Sequence, residues 1–424
     1  MNFADSEVVA AILKDQYELC IDVQDADLIL INTCSIRDKA EQRIHKRLRE
    51  LEALKRKRPH LQVGLLGCMA ERMKEELFHS EPILNFIAGP DAYRSLPQLI
   101  EESAKGQLRF NVLLSEDETY ADIMPVRYDL NGVSAFVSIM RGCNNFCSYC
   151  VVPYTRGRER SRNPKTILQE VEQLLRDGYK EVTLLGQNVN SYKWNDDGMD
   201  MTFAQLMEVV AKTSPDLRVR FATSHPKDIS DELIETIARY DNICKYIHLP
   251  VQSGSNAVLK KMNRVYTREY YLDRVRKIKE TMPDCALSTD IIAGFCGETL
   301  EDHEQTLSIM REVGYEYAYM FKYSERGGTM SAKRFPDDVP DEEKTRRLEE
   351  IIALQGELSL ASNQRDLGKT FRVLVEGYSK RSHDYLYGRN SQNKVIIFPK
   401  GDHAPGEYID VTVNECTGAT LLGN

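Results

Sequence analysis

The sequence predicts an α/β protein in three parts. These are an N-terminal α/β domain (residues 1–115), a central (β/α)6 partial barrel of the TIM type with a trailing helix (132–364), and a small C-terminal β-barrel (365–424). A linker at 116–131 separates the first two. Three observations carry this. Six short apolar runs at 134–140, 181–187, 218–223, 244–250, 286–295 and 316–323 alternate with helical patterns, as a parallel sheet requires. The first third alternates in the same way. The last 55 residues or so lose the helical period and show strand alternation between Gly- and Pro-containing turns.

The elements follow in order. Residues 26–33 form an apolar run ending at Cys34, and 61–67 form another ending at Cys68. Between them, Ile44, Leu48, Leu51 and Leu54 recur at helical spacing from about Asp38. That helix stops at Lys55-Arg56-Lys57-Arg58 before Pro59. Its basic end suits the negative pole of a helix dipole, an ordinary reading that outweighs a nucleic-acid contact. Residues 115–131 are acidic and poor in periodic apolar positions, which predicts a linker. After the six units, a charged helix begins at Pro340 and leads away from the barrel. Phe371, Val373 and Val375 alternate, and residues 394–398 and 408–413 read as further strands.

Composition narrows the function classes. Hydrophobic residues at 42% and charged residues at 29% describe a folded chain rather than a disordered one. No apolar run approaches the roughly 18 residues of a membrane helix, and nothing near the start reads as a secretion signal. The expected location is therefore cytoplasmic, with the ten cysteines mostly thiols and any cluster of them pointing to metal or redox chemistry rather than disulfides. Fifty-six basic against 65 acidic residues leave a net charge of −9, unlike a protein that coats nucleic acid nonspecifically.

The strongest local signal is Cys143-Asn144-Asn145-Phe146-Cys147-Ser148-Tyr149-Cys150, a C-x3-C-x2-C loop just after the first barrel strand. Three thiolates so spaced can hold three corners of an iron–sulfur cube and leave one iron open. A zinc site wants a fourth ligand that this loop lacks. Core thiols are the bland alternative, and three in eight residues of a polar loop count against it.

This loop at the top of a six-unit barrel resembles the radical S-adenosylmethionine (SAM) superfamily. The resemblance implies a 4Fe–4S cluster on Cys143, Cys147 and Cys150, with SAM bound at its open iron. By the same resemblance Tyr149 packs the adenine of SAM. Further SAM contacts fall at Gly186 and Gln187, at Gln252, and at Ile291, Gly294 and Glu298 within IIAGFCGE. The segments GCNNFCSYCVVPYTRGRERSR (142–162), NTCSIRDKAEQ (32–42), GCMAER (67–72) and HLPVQSGS (248–255) look like the methylthiotransferases, and the terminal β-domain resembles a TRAM domain, a small RNA-binding barrel. The branch most resembled adds a methylthio group to C2 of N6-isopentenyladenosine beside the tRNA anticodon, using SAM as both methyl donor and radical source. Three rivals are the branch acting on threonylcarbamoyladenosine, the branch modifying a ribosomal-protein aspartate, and a noncatalytic Fe–S or zinc protein that binds RNA.

The family also holds a second, auxiliary 4Fe–4S cluster on three cysteines. Two match, Cys34 and Cys68; the start of the chain looks like the continuation of the motif that carries the third, so the chain is expected to begin a little late. Cys20 is a poor substitute, and with Cys244, Cys285, Cys296 and Cys416 it reads as a packing thiol. His225 and His248 read as structural. The resemblance implies the anticodon stem-loop and a reducing electron-donor protein as partners of a monomer, with no membrane.

Charge marks where RNA would sit. Residues 141–162 hold five arginines against one glutamate, a local +4, and 365–400 hold eight bases against three acids, a local +5. Arg156, Arg158 and Arg160 in the first, and Lys380, Arg381 and Arg389 in the second, are the expected phosphate contacts. Phe371, Tyr378, Tyr385, Tyr387 and Phe398 are interleaved and could stack on unpaired bases, or equally could be core.

Overall fold

A computed structural model describes residues 1–35, 38–128, 132–196 and 198–424. Positions 36 and 37 of the NTCSIRDKAEQ motif and 129–131 of the expected linker lie outside the described residues. The chain forms two compact units. One takes in Met1–Tyr128, Met140–Phe146 and Cys150–Thr166; the other takes in Asp129–Ile139, Cys147–Tyr149 and Ile167–Asn424.

The first unit is built on a parallel sheet whose strands Leu28–Thr33, Gln62–Gly67, Phe86–Ala88 and Arg109–Asn111 pair in chain order. Both faces are covered, as a parallel sheet demands. Val8, Leu13, Leu96, Leu99 and Ile100 pack on one face, and Leu48, Leu51, Leu54, Leu61 and Leu77 on the other. The helix expected from about Asp38 is Asp38–Lys57. Its basic end is spent locally: Lys55 Nζ donates to Ile83 O at 2.7 Å and Arg58 pairs with Asp27 at 2.7 Å. The two later strands have three residues each, too few to show a pattern in the sequence.

The acidic stretch expected as a linker is instead packed into this unit. Tyr120 is buried beside Tyr93, its hydroxyl donates to Pro90 O at 3.0 Å, and Glu118 pairs with Arg94. Low local periodicity concealed a segment anchored by Tyr120, with Ile123 packed on the same core and Tyr128 against Phe3.

In the second unit the six predicted strands are all present: Ser134–Ser138, Glu181–Leu185, Arg218–Ala222, Tyr246–His248, Ala286–Ala293 and Tyr317–Lys322. Each pairs in parallel with the next, within two three-stranded sheets. The sheets meet where Val219 N donates to Asn242 O at 2.8 Å and Cys244 N to Val219 O at 2.9 Å. No pairing closes the first strand on the sixth among the described residues, so the barrel is partial.

The long helix Asp341–Gln364 does not lead away as expected. It lies along the sixth strand, with Gln355 Nε2 donating to Tyr315 O and Ser359 Oγ to Glu316 O, each at 2.9 Å. Beyond it, Thr370–Ser379, Ser382–Arg389, Val395–Pro399, Leu421–Gly423 and Tyr408–Cys416 close a small barrel around Val373, Val375, Leu386, Ile396, Phe398, Val411 and Val413. This barrel docks at the amino ends of the second and third strands. Arg218 Nη1 donates to Arg389 O at 2.6 Å, and Arg220 Nη2 to Asn390 O at 2.8 Å. The opposite, carboxyl ends are left to the loops that carry chemistry in such folds.

Candidate functional site

Gly142, with φ +79°, admits the loop that follows; a Cβ there would stand 1.9 Å from Arg158 O. Cys143 N then donates to Gly157 O at 3.1 Å. At the far end of the loop, Val152 N points to Cys150 Sγ at 3.4 Å. In the second unit, Ser148 pins the middle: its N and Oγ donate to Met262 O and Lys261 O, and its carbonyl accepts from Ser331 N. Beside it Cys147 is buried, and Arg264 Nη1 donates to its Sγ at 3.3 Å. Tyr149 packs edge-on to Phe295 at 6.4 Å, against an apolar patch with Val258, Met262 and Tyr323.

The strand-end residues expected to touch SAM fall into two groups. Gln187 follows the second strand with both amide atoms buried and without a protein partner among the described residues. Gly186 beside it is also buried. Asn188 Oδ1 and Ser224 Oγ, at the ends of the second and third strands, are buried and unpartnered in the same way. Buried polar atoms are nearly always satisfied, so this set is served by ordered water or by a polar ligand.

The other group is spent on the fold. Gln252 sits at φ +69° and bridges Ile291 through Asp290 O and Ile292 N. Glu298 is committed to Gly294 N at 2.9 Å and to Arg347 at 2.8 Å, which braces the fifth-strand loop against the long helix. Gly294 has φ +70°, and a Cβ there would lie 2.3 Å from Lys344 Cγ. Gly294→Ala is therefore expected to lower stability by about 1–3 kcal/mol, read as an earlier denaturant midpoint.

His225 and His248 are both engaged within the protein. Burial, with Arg264 and Lys227 nearby, depresses the pKa of His225 to about 2, so the ring stays neutral and accepts from Lys227 N. His248 Nδ1 meets Ser288 Oγ at 2.9 Å.

In the first unit, Thr33 pairs with Gly67, so Cys34 and Cys68 leave neighbouring strands side by side. Cys68 opens the short helix Cys68–Met73 and is buried. Arg156 Nε donates to Cys68 Sγ at 3.3 Å. Arg156 and Arg160, expected as phosphate contacts, are buried instead: Arg156 pairs with Asp5 at 2.7 Å and Arg160 with Asp91 at 2.9 Å. Arg141 joins them, reaching Asp5 at 2.7 Å and Asp91 at 3.4 Å. Three guanidiniums against two carboxylates leave one positive charge over, beside the Cys68 sulfur. Arg158 alone of the expected three is exposed. Glu71, in the GCMAER segment, is pushed up to about 7 by burial, and its Oε2 is unpartnered.

None of the ten cysteines is paired in a disulfide. Cys244, Cys285 and Cys296 are buried as expected, whereas Cys20 is exposed and its thiol donates to Asp22 O. Among the described residues no three His, Cys, Asp or Glu side chains gather to hold a metal ion. The thiols nevertheless suit an iron–sulfur cube, which takes one sulfur per iron and is tuned by N–H donors to sulfur. Cys68, Cys147 and Cys150 each have such a donor.

On the small barrel, Lys380 and Arg381 form the exposed turn between the first two strands, flanked by exposed Tyr378 and Tyr385. Lys400 lies over the Tyr378 ring at 5.3 Å. Arg389 is instead paired with Glu376 at 3.2 Å, and Phe398 is core. Sequence reasoning missed Arg264, Asp5 and Asp91. The two aspartates lie far along the chain from the arginines they neutralise, so a local charge count could not find them.

The radical SAM superfamily matches residues 137–310, the Uncharacterized protein family UPF0004 matches 1–89, and the TRAM domain matches 364–424. A protein of Parabacteroides distasonis named tRNA-2-methylthio-N(6)-dimethylallyladenosine synthase is 55% identical over 424 residues, spanning all of this chain and 93% of its own. One of the same name from Bacteroides thetaiotaomicron is 56% identical over 425 residues, again with 100% and 93% covered. Among solved structures, the radical S-adenosylmethionine methyltransferase TsrM of Kitasatospora setae superposes with a TM-score of 0.57 at 14% identity, over 75% of this chain and 69% of TsrM. That last likeness is one of fold.

Proposed function

This chain belongs to the family of tRNA-2-methylthio-N6-dimethylallyladenosine synthases, radical SAM methylthiotransferases, and from that premise we propose the work of its residues. The reaction places a methylthio group on C2 of N6-isopentenyladenosine in tRNA. When bound, two 4Fe–4S clusters and SAM supply the one-electron chemistry, the sulfur and the methyl group.

Cys143, Cys147 and Cys150 hold the cluster that binds SAM, and Cys34 and Cys68 hold two corners of the auxiliary one. Tyr149 gives the adenine of SAM an apolar bed, and Gln187 orients polar SAM or substrate atoms. Gln252, Ile291, Gly294 and Glu298 shape the SAM loop through the backbone. What supports this reading is the C-x3-C-x2-C loop itself; within the second unit, the buried amide of Gln187, without a protein partner among the described residues, adds to it. No side-chain acid or base is required, consistent with neutral His225.

We assign the anticodon stem-loop to the small barrel's exposed turn, with Lys380 and Arg381 on phosphates and Tyr378 and Tyr385 stacking on splayed bases. The Lys380→Ala/Arg381→Ala double variant is expected to weaken tRNA binding and to lower the slope of log affinity against log salt by about 2. Binding isotherms across a salt series measure it; an unchanged slope removes the turn from the interface. An external one-electron reductant, a monomeric state and the cytoplasm complete the reading.

The deciding experiment offers the reconstituted protein, SAM and reductant to tRNA carrying isopentenyladenosine and to tRNA carrying threonylcarbamoyladenosine. The methylthio product is expected on the first. Product on the second alone would overturn the substrate assignment. Absence of SAM cleavage in an iron-replete sample would favour a noncatalytic RNA-binding protein.

A further inference from the structure

Arg264 follows the short helix Asn256–Lys261 and is buried. Its guanidinium makes three directed contacts: Nε to Tyr266 Oη at 2.9 Å, Nη2 to Pro250 O at 2.7 Å and Nη1 to Cys147 Sγ at 3.3 Å. Its Cζ also lies 5.1 Å from the Tyr266 ring centroid. The groups that act most on its charge are Tyr266, Tyr149 and Cys147, with neutral His225 also nearby, and no carboxylate forms an ion pair with it among the described residues. Elsewhere Arg141, Arg156, Arg160, Arg220 and Arg347 are buried and set against an aspartate or glutamate, whereas Arg218, also buried, is held by the carbonyls of Arg389 and Arg372; Arg264 differs from both kinds in donating to a cysteine sulfur of the three-cysteine loop.

A buried cation with no counter-charge is strongly destabilising. The neutral contacts do not account for keeping one here. The single hydroxyl hydrogen of Tyr266 is served by Val251 O at 2.9 Å, with Pro250 O at 3.2 Å the alternative acceptor, and a neutral amide could donate to Pro250 O in place of the guanidinium. The contact that does use the charge is the cysteine sulfur.

We propose that Arg264 is a positioning residue whose buried positive charge, delivered through N–H to the Cys147 sulfur, sets how readily the barrel's iron–sulfur cluster accepts an electron. This rests on Cys147 being a ligand of that cluster. Reduction adds one negative charge to the cluster, and a fixed cation at a ligand sulfur stabilises the reduced form. Burial limits screening of that cation by salt.

The test is a redox titration of the reconstituted full chain, followed by the electron paramagnetic resonance of the reduced cluster, with iron content measured alongside. In Arg264→Gln the midpoint is expected to move to more negative potential. At fixed potential the reduced-to-oxidised ratio should fall about tenfold, which is about 59 mV for one electron. Arg264→Lys keeps the charge and is expected to restore most of the shift. A wild-type midpoint in Arg264→Gln at full iron overturns the proposal. If Arg264→Gln fails to load iron, Arg264→Lys decides: a midpoint near wild type supports the charge, and a tenfold loss like that expected for glutamine overturns it. Cys147→Ala separates the two levels of the argument. If it keeps the barrel cluster's iron and signal, the ligand assignment itself is wrong, whatever Arg264 does.

Discussion

Alanine at any one of Cys143, Cys147 and Cys150 is expected to abolish reductive cleavage of SAM and to remove about four irons per chain. The effect is this large because the one-electron chemistry is carried by the cofactor, and no side chain stands ready to replace it. His225 is held neutral and turned to a backbone amide, and His248 is engaged with Ser288. The same substitution at Cys34 or Cys68 is expected to behave differently. SAM cleavage persists, because the barrel loop keeps its three thiols, while methylthio product is lost. Iron analysis, a deoxyadenosine assay and nucleoside analysis of the tRNA separate the two outcomes. Residual SAM cleavage above a few per cent in Cys147→Ala would sink the assignment of that loop.

The parts of this fold that were legible in the sequence are those governed by local pattern. Six strand runs, each bounded by turn residues and separated by a helical period, predicted six parallel strands within about two residues. The C-x3-C-x2-C spacing was legible for a similar reason, since ligand reach is set within eight residues. What escaped was set by distant partners. Arg156 and Arg160 read as a phosphate patch because arginines outnumber acids locally and their actual partners are remote in the chain. Asp5 and Asp91 neutralise them from another part of the chain. Tyr120, with Ile123 and Tyr128 near it in the chain, turned an apparent linker into a packed segment through side chains too sparse to show a period. Arg264 was invisible because an arginine in a charged loop is ordinary, and only its burial against Cys147 marks it. On the small barrel, alternation could not tell Phe398 in the core from Tyr378 and Tyr385 outside it, because strand aromatics suit either face.

Replacing Arg141 by methionine is expected to cost about 3–5 kcal/mol of stability, the range for breaking a buried pair from one side. Arg141 is 2% exposed, reaches Asp5 and Asp91, donates to Pro90 O at 2.8 Å and lies 4.9 Å from the Tyr120 ring centroid. Methionine fills similar volume, so the loss reports charge and hydrogen bonding rather than a cavity. Burial works to raise the pKa of Asp5, but Arg141 and Arg156 outweigh it and hold the carboxyl at about 2. A depressed carboxylate stabilises the fold above its unfolded value, near 3.8, and that stability is lost as pH falls through about 2. Asp5→Asn should therefore lose stability near neutral pH and show a shallower acid limb than wild type. The double variant should cost less than the two single losses together, because both remove the same contact. Urea midpoints at pH 7 and across the acid range test all three, and an Arg141→Met variant within about 1 kcal/mol of wild type would overturn this account of the network. The consequence reaches the site, since Asp5 is shared with Arg156, whose Nε meets Cys68 Sγ. In Arg141→Met the surviving folded fraction should make less methylthio product, because the disturbance reaches Cys68 through the shared Asp5 and Arg156.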